Sequence, residues 1–124
     1  MKVISFVVDA SIYNTHIIVV FGGKKHINKE LKKMSIKKID TNRISSAAVG
    51  YTIELKGAVF LWLKQKPPFT AFDYGCLSHE IFHCCSFILS RAGVKLCDKS
   101  EEAYAYLIGH VHEVIMDKIR TIKK

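Results

Sequence analysis

No apolar run in these 124 residues reaches the roughly eighteen needed to span a bilayer. The longest candidate, Val3 to Val20, is interrupted by Asp9, Ser11, Asn14, Thr15 and His16. Met1-Lys2 and the apolar residues after them lack the long hydrophobic stretch and small-residue cleavage site of an export signal, so Val3 to Val8 is expected to form a strand. Cysteine pairing is missing too. Cys76, Cys84, Cys85 and Cys97 show no C-x-x-C spacing, and adjacent Cys84 and Cys85 suit buried thiols better than a disulfide framework. Repeats, low-complexity tracts and a second domain are absent. The expectation is one cytoplasmic, membrane-free domain over residues 1–124.

Acidic residues are scarce: eleven against nineteen Lys and Arg, a formal charge of +8. Much of the excess lies between Lys24 and Arg43, with more at Arg120, Lys123 and Lys124. Such a face can attract nucleic acid or acidic partners. No aromatic residue interleaves these lysines to stack on bases, so a solvated helix face is the preferred reading and nucleic acid is disfavoured.

What is present is a β-rich first half and a helical second half. Val3–Val8 and Ile12–Phe21 read as two strands around a turn, closed by Gly22-Gly23. Lys25 to about Ser35 places Ile27, Leu31 and Met34 at helical spacing. Val49, Tyr51, Ile53 and Leu55 alternate, Lys56-Gly57 makes a turn, and Ala58 to Lys64 forms a second hairpin strand. After Pro67-Pro68, Thr70-x-x-Asp73 has capping-box form, opening a helix to about Arg91 with Gly93 suited to the left-handed position beyond it. Asp98-x-x-Glu101 has the same form before a last helix to about Ile119. The order β-β-α-β-β-α-α is an α+β pattern with a mostly antiparallel sheet of about four strands.

The stretch LSHEIFHCC, residues 77–85, carries the chemistry. Positions four apart share a helix face, so His79 and His83 project side by side and can hold one zinc ion. Glu80, rotated by about 100°, misses direct ligation but can act as general base on a metal-activated water. The helix is apolar almost all round, so two histidines and a glutamate in it are expected to be costly unless paired or metal-bound. A hydrogen-bonded His–Glu–His cluster is the alternative. A closed zinc site using Cys76 and the other cysteines is another, weakened by their spacing.

H-E-x-x-H followed by SEEAYAYLIGH, from Ser100, resembles the gluzincin metallopeptidases, with the closest likeness to small ImmA/IrrE-type enzymes and to short phage- or prophage-type zincins. The resemblance covers about Ala58 to Val111. It implies a small zincin-like domain, Zn2+ as cofactor, and a glutamate on the last helix as third ligand. Glu102 is preferred over Glu101, because Ala105 and Gly109 would let its helix approach closely. Tyr106 stands where relatives carry an acidic or amide residue. Tyr106, Tyr104 and His110 are the candidates for stabilising an oxyanion.

The resemblance further implies hydrolysis of a peptide bond in a protein or peptide substrate, held as an added strand. Ala58 to Lys64 is either that sheet edge or an ordinary core strand carrying Trp62. A non-catalytic zinc-binding scaffold for a phage or host regulatory protein is the competing reading, and a basic nucleic-acid-binding protein the third.

Overall fold

A computed structural model describes residues 3–122; Met1, Lys2, Lys123 and Lys124, which entered the charge and signal readings, lie outside the described residues. Strands β1 (Ile4–Ala10), β2 (Thr15–Phe21), β3 (Gly50–Leu55) and β4 (Ala58–Leu63) form one sheet in the order β1-β2-β4-β3. Helix α1 (Ile27–Lys33) follows β2, and α2 (Ala71–Arg91) and α3 (Glu101–Ile122) follow β4. The α+β class and both hairpin pairings are as expected, but β2 starts at Thr15 and not at Ile12, because Ser11–Tyr13 form a 3₁₀ turn ended by Asn14 at φ +57°. The sheet is nonetheless mixed, because β2 and β4 pair in parallel at its centre.

That parallel pairing explains the two most apolar segments. β2 and β4 are covered on both faces, so they read as near-continuous hydrophobic runs. Ile17, Val19, Phe21, Val59, Leu61 and Leu63 face α2 and α3. Ile18, Val20, Phe60 and Trp62 face α1 and the segment after it. Trp62 donates its indole N–H to the Gly22 carbonyl at 2.7 Å, so the ring is buried without an orphaned donor. Ala58 to Lys64 is therefore a central core strand and not the sheet edge: its neighbours are β2 and β3. The edge beside α2 is β3.

Helix α2 begins as its sequence dictates. The Thr70 hydroxyl accepts from the Asp73 amide, and the Asp73 carboxylate accepts from the Thr70 amide. It ends with Gly93 at φ +82°, and the Val94 amide donates to the Leu89 carbonyl. Near that end Arg91 donates to Glu54 and to the Leu55 carbonyl. This exposed tie is worth at most about 1 kcal/mol, but it lays α2 along β3.

The entry to α3 differs from the expected capping box. Asp98 and Lys99 form turns, and the Ser100 hydroxyl bonds the Lys95 carbonyl while accepting from the Cys97 amide. The helix starts at Glu101, so Glu101 is its first residue and not the third position of a box opened by Asp98. Tyr104, Leu107, Val111, Ile115 and Ile119 bury one stripe of α3. The helix packs on α2 and reaches β1, the sheet edge opposite β3.

Candidate metal centre

The α2 residues sort into two faces. Leu77, Ile81, Cys84, Cys85, Ile88 and Leu89 sink into the core. His79 and His83 lie on the exposed side, with the His79 side chain 67% accessible. The expected cost of placing both imidazoles in an apolar helix therefore does not arise: Phe72 and Phe82 make the helix look apolar all round, yet both are exposed. The burial argument survives for Glu80 alone, at 8% accessibility.

The histidines converge as their spacing requires. Their Nε2 atoms stand 3.1 Å apart, with the rings edge-on. Two nitrogen ligands on a tetrahedral zinc, each at about 2.05 Å, stand about 3.3 Å apart. The separation thus fits a shared metal, and equally a hydrogen bond from one imidazole to the other.

Glu80 is held by β3. The Thr52 hydroxyl donates to Glu80 Oε1 at 2.6 Å, while Oε2 is 3.9 Å from His79 Nε2. Gly50 makes room for it: a Cβ there would stand 3.0 Å from Glu80 Cγ, 3.0 Å from Oε2 and 3.0 Å from Leu63 Cδ2. One carboxylate oxygen is therefore pinned, and the other is turned to His79. Val49, Gly50, Phe72, Gly75, Cys76, His79 and Glu80 line an open cavity of about 410 Å³ beside it.

Neither Gly50 nor Thr52 stood out in the sequence. The signal was there: Tyr51, Ile53 and Leu55 pack on the α1 side, leaving Gly50, Thr52 and Glu54 as a small or polar opposite face. Alternation alone assigns that face to solvent; in the fold α2 lies over it.

The cysteines behave as packing residues more than ligands. All four are free thiols. Cys84 and Cys85 are buried in the core, and burial pushes both up, Cys85 to about 12. Cys76 lines the cavity, and its thiol is raised by burial and then by the Asp73 and Glu80 charges. Cys97 lies apart on the exposed loop before α3.

The residues placed on α3 are not gathered with the histidines. Glu102, Tyr106 and His110 are all exposed, off the stripe that α3 buries. Glu80 points toward β3 on one flank of α2. Tyr74 marks the other flank, sharing a cleft with Glu113, Met116 and Asp117 of α3. Among the described residues no group of three or more His, Cys, Asp or Glu side chains is assembled to hold a metal ion. Tyr104 is also removed from the oxyanion candidates by its surroundings: it is buried, and its hydroxyl donates to the Val94 carbonyl at 2.7 Å.

No known protein family, curated protein or solved structure matches this chain. Among the described residues no helix is long and apolar enough to cross a membrane.

Proposed function

We propose that the chain is a zinc-dependent metallopeptidase in which His79 and His83 hold the ion and Glu80 is the general base. The observation that supports it is the Glu80 carboxylate: buried, fixed through one oxygen by Thr52, with the second oxygen toward His79 and an open cavity. Bound zinc would supply Lewis acidity and lower the pKa of a coordinated water. Glu80 accepts the proton at Oε2, and Thr52 keeps the carboxylate from rotating away. Glu102 stays the proposed third ligand on the strength of the sequence, although the fold does not gather it with the histidines; its side chain is exposed and has no hydrogen-bond or ion-pair partner among the described residues. Tyr106 and His110, on the same helix, are proposed for the oxyanion.

The free edge of β3, beside Glu80, is where an extended peptide would pair with the sheet. Val49 and Phe72, both exposed, offer apolar contact for a substrate side chain. Glu102, Tyr106 and His110 are not gathered with the histidines, which favours a second reading: a non-catalytic zinc-binding scaffold for a phage or host regulatory protein.

Metal analysis and peptide cleavage separate the two. Wild type should bind one zinc per chain, lost in His79→Ala and His83→Ala. Glu80→Gln should keep zinc and lose cleavage by about 10²–10⁴-fold, the usual contribution of a positioned base. Zinc unchanged in His79→Ala would sink the metal centre, and cleavage unchanged in Glu80→Gln would sink the mechanism. Zinc unchanged in Glu102→Ala would remove Glu102 from the ligand set.

A further inference from the structure

Eight of the nineteen Lys and Arg fall between Lys24 and Arg43, against two of the eleven acids. The fold places this segment on the sheet face opposite α2, where Ile27, Leu31 and Ile44 anchor it over Ile18, Val20, Phe60 and Trp62. Its charges are largely unpaired. Lys24 donates to the Ile44 carbonyl and Lys33 pairs with Glu30. Lys25, Lys29, Lys32, Lys37, Lys38 and Arg43 are exposed and form no salt bridge with any described residue. Against eight cations the two acids offset only part of the charge: Glu30 sits near Lys33 and Lys29, and Asp40 is exposed. Glu30 is buried, accepting from the Ser5 hydroxyl at 2.6 Å, and Asp40 accepts from the Asn42 amide.

From this arrangement we infer, reversing the preference drawn from the sequence, that the α1 face is a sequence-independent docking surface for the phosphate backbone of double-stranded nucleic acid. The choice of partner follows from what accompanies the charge. No large hydrophobic side chain of the segment is exposed: Met34, Ile36 and Ile39 turn toward the core, and the exposed apolar residues lie elsewhere on the chain. A membrane surface selects for apolar residues beside the lysines. A protein partner selects for an aromatic or aliphatic anchor. Single strands select for stacking aromatics. A duplex backbone asks only for spaced, hydrated cations. Lys25, Lys29 and Lys32 recur at helical spacing along one side of the 3₁₀ turn Lys24–His26 and α1, meeting that demand. The surface is separate from the α2 centre, so each stands without the other.

The test is binding of a mixed-sequence DNA duplex to the full chain across a salt series. Six phosphate contacts predict a log–log salt slope approaching about −5, and replacing four lysines, Lys29→Gln, Lys32→Gln, Lys37→Gln and Lys38→Gln together, should reduce it by about 3–4. The same replacement should weaken binding at least about tenfold at low salt, with the circular dichroism and Tm of wild type. Glu80→Gln should bind as wild type does. Absence of duplex binding by about 100 μM protein at about 50 mM salt would overturn the inference. So would a slope unchanged by the four replacements, or tighter binding to anionic vesicles or polyglutamate than to the duplex.

Discussion

Thr52→Val isolates the contact on which the proposed chemistry depends. Valine keeps the branched shape that suits β3 but deletes the hydroxyl that reaches Glu80 Oε1 at 2.6 Å. Glu80 is 8% accessible, so water does not readily replace the lost donor. A hydrogen bond to a charged group is worth about 1.5–3 kcal/mol. At about 2.1 cal/mol/K of unfolding entropy per residue, that loss lowers Tm by about 6–12 °C in a chain of this length. The assay is thermal unfolding of wild type, Thr52→Val, Glu80→Ala and the double variant. In the Glu80→Ala background the same valine should cost less than about 0.5 kcal/mol, because the two residues act as a pair. A single-variant loss below about 0.5 kcal/mol, or equal losses in both backgrounds, would refute the claim that Thr52 fixes the carboxylate. If it is fixed, Thr52→Val should also slow peptide cleavage while leaving zinc stoichiometry at one.

Two further outcomes follow from neighbouring contacts. Gly50→Ala puts a methyl 3.0 Å from Glu80 and Leu63, so Glu80 must shift by a few tenths of an ångström; the expected cost is about 1 kcal/mol in stability, with a larger fractional loss of cleavage, read by urea titration beside a peptide assay. Glu30 is pushed up by burial, but the Ser5 hydroxyl and Lys33 outweigh this and hold its carboxyl below its ordinary 4.5. A carboxyl depressed on folding adds stability above its unfolded pKa and loses it as pH falls through the folded one. Urea midpoints should therefore drop more steeply below pH 4.5 in wild type than in Glu30→Gln; parallel curves would contradict the assignment.

Much of this was legible in the chain. Helix α2 announced its start through Thr70 and Asp73 and its end through Gly93, because capping and left-handed turns are local. The turn signals placed both hairpins for the same reason. His79 and His83 met because four residues of helix bring any such pair together. The start of α3 was misplaced because Ser100 competes with Asp98 for the same turn, and its bonds to Lys95 and Cys97 prevail.

The sequence by itself determined the elements, the caps of α2 and the pairing of two imidazoles, all consequences of backbone periodicity and short-range hydrogen bonds. Only the tertiary structure decided that β4 pairs with β2 in parallel and so leaves β3 at the edge, since strand order depends on which apolar faces can be buried together. That choice put Gly50 and Thr52 under α2, buried Glu80 and left the histidines in solvent. It also carried the lysines of α1 to the far face of the sheet, away from the centre.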